Sequence, residues 1–260
     1  MIPRAYKSYG QHFLLNPVIC REIVAGAGDL SKAWVVEVGP GPGTLTQCLI
    51  DSDARKIIAI EKDGRFIENI RSLDQEKLEV IHEDALVWLR TWQDPCPHRP
   101  LVMIANLPYN ISTPLLITCL RRGLFDRLII TVQKEVADRL IAKVGSRNYS
   151  RLSVMAQWRA QVQRFRVLQP GAFTPPPKVR SAVVRMDVAR ADPLWATMEM
   201  VVAAGFSQRR KTLRASLRRL DPDGAHLSAA KIDPGLRAQN LTPAQFYALA
   251  RRFAKTALPK

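Results

Sequence analysis

The run Ile104-Ala105-Asn106-Leu107-Pro108-Tyr109-Asn110-Ile111 joins an apolar stretch to groups able to handle a flat, amine-bearing ring. Asn106 carries an amide oxygen that accepts hydrogen bonds. Pro108 holds φ at about −65° and biases Leu107 towards an extended backbone, so carbonyls in the turn can point at a ligand. Tyr109 adds an aromatic face for stacking. Two acceptors beside an aromatic plane suit an exocyclic amine on a heterocycle. Such an amine is a poor nucleophile, because its lone pair is delocalised into the ring. If the Asn106 oxygen and the Leu107 carbonyl accept its two hydrogens, the lone pair can be directed at an electrophile. That chemistry is positioning and electrostatic preorganisation, with no general base.

A second set of residues points to what the electrophile is carried on. Gly39-x-Gly41-x-Gly43 follows Trp34-Val35-Val36-Glu37-Val38, but Thr44 stands where a dinucleotide fingerprint has its last glycine. A glycine turn alone says little, since tight strand-to-helix turns use glycine anyway. Its context says more. Glu61 closes the next β-like run, where an acidic group hydrogen-bonds ribose hydroxyls. Asp84 closes the run after that, where a carboxylate can accept from an adenine amine. A pyrophosphate needs a free, positive helix N-terminus. With Glu37 just before the turn, the acidic set suits a cationic adenosine ligand without phosphate. S-adenosylmethionine is such a ligand.

The elements that position these groups follow from hydrophobic periodicity. Strands are expected at 34–38, 56–60, 78–82, 101–105 and 128–132, alternating with helical spacings that include Leu45, Cys48 and Leu49, then Phe66 and Ile70, then Leu115, Leu116 and Leu120. This is an α/β pattern with a mostly parallel sheet, and ligands bind there beyond the carboxyl ends of the strands. Two later β-like runs, 162–168 and 181–187, leave no room for a helix between them and are expected to form an antiparallel edge hairpin. From about residue 189 only helical segments follow. The expected division is therefore residues 1–188 as a Rossmann-like domain and 189–260 as a small all-helical domain.

Phe173 lies before Pro175-Pro176-Pro177 and reads either as a plug on a stiff loop or as a second stacking face opposite Tyr109, as in enzymes that flip bases. His12 alone is an ordinary surface residue. Cys20, Cys48, Cys96 and Cys119 form no paired motif, and Cys96-Pro97-His98 is too sparse for zinc; no metal is expected. The 39 Lys+Arg against 23 Asp+Glu, a net charge of +16, call for a polyanionic partner. No apolar run approaches the ~20 residues of a membrane span and no signal peptide opens the sequence, so nucleic acid is preferred and the cytoplasm is the expected compartment. Phe206, Leu213, Leu217 and Leu220 have helical spacing, and Arg209, Arg210, Lys211, Arg214 and Arg218 surround them. A charge run is usually a solvated face; here nearly every charge has one sign, and a phosphate-tracking helix is the better reading.

Taken together these motifs resemble a known family, the ribosomal small-subunit RNA adenine dimethyltransferases. The resemblance rests on Gly10-Gln11-His12-Phe13-Leu14, Glu37 to Gly41, Asn106 to Ser112, Gln133 to Val136, Phe173 to Val179 and Gln208 to Leu213, and spans nearly the full length. It implies a class I methyltransferase fold and dimethylation of two adjacent adenosines near the 3′ end of that RNA. It implies cofactor contacts at His12, Leu14, Gly39, Glu61, Asp84 and Asn106, beside Gly41 from the turn itself. Asn106, Leu107, Pro108, Tyr109 and Phe173 would surround the acceptor. The implied partner is small-subunit RNA in a pre-ribosomal particle, and nothing suggests more than a monomer. The rival readings are a large-subunit RNA adenine methyltransferase, a DNA adenine methyltransferase, and a non-catalytic assembly factor on the same fold.

Overall fold

The computed structural model describes residues 3, 5, 6, 9–74, 76–94 and 100–257. Lys7, Ser8, Cys96 and His98 lie outside them. Among the described residues the chain divides into two compact units, Met1–Ala137 with Gln161–Arg190, and Asp138–Ala160 with Ala191–Lys260.

The first unit opens with β1 (Phe13–Leu14) and α1 (Pro17–Ala25), then alternates β2 (Trp34–Val38), α2 (Thr44–Ile50), β3 (Lys56–Glu61), α3 (Gly64–Arg71), β4 (Leu78–His82), α4 (Ala85–Thr91), β5 (Leu101–Asn106), α5 (Tyr109–Arg122) and β6 (Arg127–Gln133). The chain continues through α6 (Lys134–Leu140) and α7 (Arg151–Arg159) to β7 (Ala160–Leu168), β8 (Phe173–Thr174) and β9 (Ser181–Val188). Seven strands form one sheet in the order β4-β3-β2-β5-β6-β9-β7. β2, β3, β4, β5 and β6 are parallel, and β9 runs antiparallel to β6. The apolar runs of β2, β3, β5 and β6 are buried almost throughout, as strands covered on both faces must be. Cys20, Ile23 and Val24 of α1 and Cys48 and Leu49 of α2 pack with Val35, Ile57, Val102 and Ile129 of the sheet.

The order matters for function because the strand sequence reverses at β2 and β5. Their carboxyl ends, Val38 and Asn106, flank the crevice in which open α/β sheets bind ligands. β9 slots between β6 and β7, which realises the expected antiparallel arrangement at the edge. One pairing has no counterpart in the strand expectations. β1 pairs antiparallel with β8, with Phe13 opposite Thr174 and Leu14 opposite Phe173.

The second unit is helical, with α7, α8 (Trp195–Gly205), α9 (Leu213–Ser216), α10 (Ala225–Ala229) and α11 (Pro243–Ala257). It draws in residues before the expected boundary at 188/189, because α7 packs on α8 and α11: the Trp158 ring lies 5.8 Å from that of Trp195 and 5.5 Å from that of Tyr247.

The expected continuous basic helix does not form. α8 stops at Gly205, and α9 is a four-residue turn starting at Leu213. The backbone N–H groups of Leu213 and Arg214 donate to the carbonyls of Leu236 and Pro234, at 2.7 and 3.1 Å, so they are satisfied by another segment of the unit instead of by a helix continuing from α8. Leu213 and Leu217 are nevertheless buried. The apolar spacing marks the core face correctly, while the like-signed charges between disfavour a helix.

Candidate active site

A cleft of about 870 Å³, counting the solvent at its mouth, opens at the carboxyl ends of β2, β3 and β5. Its walls carry Gly39 and Gly41 from the glycine turn, Glu61 and Asp84 from strand ends, and the whole run Asn106 to Ile111. A further wall comes from the leader, Tyr9 to Phe13.

Asn106 is the last residue of β5. Its Nδ2 donates to the His12 carbonyl at 2.9 Å. Because a carbonyl only accepts, this bond fixes which end of the amide is nitrogen. The oxygen is thereby turned away from the leader, in a side chain that lines the cleft. Leu107, 2% exposed, also borders the cleft. Pro108 adopts φ −55°, ψ 132° and caps α5. Tyr109 opens that helix, and its hydroxyl lies 2.5 Å from the Ser181 hydroxyl at the start of β9. Burial raises the Tyr109 pKa, so the phenol is neutral, and its ring is tilted 31° to that of His12 at 5.4 Å.

The leader is held by several short bonds. The Nδ1 of His12 lies 2.7 Å from the Pro175 carbonyl, which makes Nδ1 the donor. Gln11 donates to Asp63 at 2.9 Å and accepts from the Tyr6 backbone N–H at 2.8 Å. Asp63 is gripped by the Arg65 guanidinium, which holds its pKa at about 2. Gly10 has φ +64°, and a Cβ there would sit 3.0 Å from Asn110 Oδ1, so the leader approaches the acceptor motif as only glycine allows.

On the glycine side, Gly41 N–H donates to Glu61 Oε2 at 3.0 Å and Asp63 N–H donates to Glu61 Oε1 at 2.7 Å. Glu61 is 5% exposed, and burial raises its pKa. Asp84 accepts from Leu86 N–H at 2.8 Å and pairs with Lys62 at 2.8 Å; the Lys62 ammonium and hydrogen bond hold its pKa down. Each carboxylate keeps lone pairs beyond these bonds, since two oxygens offer about four acceptor sites.

Glu37 is buried in the wall behind the turn, and its pKa is pushed up to about 8, chiefly by loss of solvent and further by the Glu61 carboxylate. The Thr46 hydroxyl offsets part of this, yet neither Glu37 oxygen has a hydrogen-bond partner. The folded state therefore keeps a proton that the unfolded chain releases near pH 4.5. Its stabilisation is complete below that pH and is lost as pH climbs through about 8, at a slope of up to roughly 1.4 kcal/mol per pH unit. Melting temperatures of the cofactor-free protein between pH 5 and 8.5 should fall less for Glu37→Gln than for the wild type. Parallel curves would mean that Glu37 is ionised in the fold.

Comparisons with known proteins give the family. The family model described as "Ribosomal RNA adenine dimethylase" matches residues 3–255. The chain belongs to the ribosomal RNA adenine dimethylase family. The chain is 45% identical to ribosomal RNA small subunit methyltransferase A of a Ruegeria species, over 96% of this chain and 92% of that one. The counterpart in Rhodospirillum rubrum is 44% identical, over 95% and 87%. Among solved structures, a dimethyladenosine transferase from Plasmodium falciparum superposes with TM-score 0.79 at 28% identity, covering 95% of this chain and 99% of that one. The 23S rRNA methyltransferase ErmE superposes with TM-score 0.69 at 26% identity, covering 93% and 99%. The dimethylase is thus an S-adenosylmethionine-dependent rRNA adenine methyltransferase.

The cleft of this dimethylase fits that cofactor. The two strand-end carboxylates, Glu61 and Asp84, suit a cation, and Gly39 and Gly41, at φ +69° and +52°, leave backbone where side chains would fill the space. Of the expected site residues, His12, Gly39, Gly41, Glu61, Asp84 and Asn106 to Tyr109 come together on the cleft. Leu14 and Phe173 do not. They are cross-strand partners in the β1–β8 pair, 5% and 3% exposed, and belong to the hydrophobic core. The sandwich of Tyr109 and Phe173 about a base is not formed here, because the Phe173 ring is spent on that core. Sequence reading missed Gln11, Lys62 and Ser181, whose partners are remote in the chain. Among the described residues no group of His, Cys, Asp and Glu could hold a metal ion, and no helix is long and apolar enough to cross a membrane.

Proposed function

We propose that this dimethylase methylates the exocyclic amines of two adjacent adenosines near the 3′ end of small-subunit ribosomal RNA, as a cytoplasmic monomer acting on a pre-ribosomal particle. The observation that carries the reading is the Asn106 amide: its nitrogen is occupied by the His12 carbonyl and its oxygen belongs to the cleft. The relatives' shared name, small subunit methyltransferase A, supports the choice of RNA, and the net charge of +16 suits it.

S-adenosylmethionine supplies the electrophilic methyl group. His12, Gly39, Gly41, Glu61 and Asp84 line its binding site, with Glu61 and Asp84 as acceptors. The Asn106 oxygen and the Leu107 carbonyl accept the two amine hydrogens of the target adenine and direct its lone pair. The new N–C bond would form as the bond between the methyl group and sulfur breaks, leaving S-adenosylhomocysteine, and the surplus amine proton passes to solvent. Tyr109 stacks on the base, and its bond to Ser181 fixes the ring plane. Leu14 and Phe173 act from behind, holding the leader whose His12 carbonyl orients Asn106.

In the helical unit, Arg210, Lys211, Arg214 and Arg218 are exposed and contact RNA phosphates. Arg209 plays a different part, donating to the carbonyls of Arg147 and Tyr149 at 2.8 and 3.3 Å. It shapes the segment that presents the other cations.

Small-subunit particles from a strain lacking the protein, incubated with methyl-labelled cofactor, should gain label in small-subunit RNA as dimethyladenosine. Label confined to large-subunit RNA would overturn the assignment.

A further inference from the structure

One face of α11 buries Phe246, Leu249, Ala250 and Phe253. The opposite face exposes Ala248, Arg251, Arg252 and Lys255, spaced i, i+3, i+4 and i+7. Beside it a concavity of about 570 Å³, counting the solvent at its mouth, is floored by the short side chains of Ala229, Ala230 and Ala248. Lys231 joins the three α11 cations around it, and among the described residues no carboxylate lines it.

Two features argue against an ordinary solvated face. Like-signed residues three and four apart destabilise a helix. The helix macrodipole favours cations at a helix C-terminus and so accounts for the charge of Lys255, in the last turn of α11, and of Lys231, just past α10, but it does not account for the backbone of Lys231. That residue closes α10 at φ 57°, in the left-handed region where a Cβ is strained. Its N–H donates to the Ser228 carbonyl at 2.9 Å, and Ile232 N–H donates to the Leu227 carbonyl at 3.0 Å. Glycine or asparagine ordinarily fills such a helix-closing position. Here a strained lysine brings a fourth positive charge to a concavity already lined by three.

We infer that the concavity between α10 and α11, framed by Lys231, Arg251, Arg252 and Lys255, binds the phosphodiester backbone of the RNA substrate. It is a second contact, made by residues other than those of the 206–220 segment. An open mouth and small floor residues let a chain pass across it. The Arg251 guanidinium supplies paired donors that match phosphate oxygens. The inference rests on the proposed substrate, and it concerns affinity without base readout.

The test uses the full-length protein and small-subunit RNA from particles lacking the modification. Affinity is measured over a range of salt concentrations for the wild type, Lys231→Gly, and the pair Arg251→Ala with Lys255→Ala. Melting temperatures are taken alongside. Lys231→Gly should melt no lower than the wild type, since glycine relieves the left-handed strain, yet its slope of log affinity against log salt should fall by about one unit. The double variant should lose about two units of slope and on the order of tenfold in affinity. Unchanged affinity and slope in both variants would overturn the inference. Failure of the wild type to methylate small-subunit RNA would instead overturn the functional reading, and the slopes would still decide the site.

Discussion

Replacing Asn106 by alanine should slow methyl transfer by about 10²–10³-fold, the usual loss when one preorganised hydrogen-bonding group aimed at the reacting centre is removed. Binding of RNA should hardly change, because phosphate contacts dominate that affinity. The substitution deletes two things at once: the oxygen assigned to the amine and the Nδ2 donor that holds the His12 carbonyl at 2.9 Å. Asn106→Asp separates them. It keeps an acceptor towards the cleft but sets a carboxylate oxygen against a carbonyl, so the leader loses its tie. If positioning of the amine dominates, the aspartate protein should retain more transfer than the alanine protein, with weakened cofactor binding. Single-turnover rates at saturating cofactor, with RNA affinity measured on the same preparations, decide it. A turnover equal to the wild type in Asn106→Ala would remove the amine-acceptor role.

What could be read from the sequence was whatever is local. The strand leading into Asn106, the φ imposed by Pro108, the glycine turn and the acidic strand ends all follow from residue type within a few positions, and each lies within a residue of where it was expected. What could not be read depends on partners far along the chain. His12 gains its place through β1 pairing with β8, a match of two residues each that no periodicity announces. Ser181 holds Tyr109 across 72 residues, and Gln11 holds Asp63 across 52. Phe173 could not be placed for the same reason. An aromatic before a proline run fits a stacking loop or a core plug equally well, and only the Leu14 opposite it decides for the core.

The segment after α8 carries a further lesson about competing signals. Apolar spacing across Phe206, Leu213, Leu217 and Leu220 is helical, and two of these, Leu213 and Leu217, are fully buried. The backbone is nonetheless not one helix, because the donors at 213 and 214 are taken by the carbonyls of residues 236 and 234. Burial of a side chain constrains the direction of its Cβ, and several backbone paths satisfy it. Hydrophobic pattern thus located the core face of the helical unit without determining its secondary structure.

Gly41→Ala should damage cofactor binding far more than it damages the fold. Gly41 sits at φ +52°, and a Cβ there would lie 3.2 Å from two ring carbons of Phe13. Left-handed strain alone costs about 1–2 kcal/mol, which in a chain of this size lowers the melting temperature by only a few degrees. Phe13 cannot give way freely, since its ring packs edge-on against Phe66 at 5.5 Å and 75°. The methyl group therefore either intrudes on the cleft that Gly41 and Phe13 both line, or shifts the turn and breaks the Gly41 N–H bond to Glu61. Both routes disturb the same binding wall, so the affinity for S-adenosylmethionine should fall by roughly ten- to a hundredfold, a loss of about 1.4–2.8 kcal/mol. Calorimetric titration of the cofactor into the folded variant reads this directly. A lowered melting temperature with unaltered affinity would make the turn a folding element alone and move the cofactor away from the glycines.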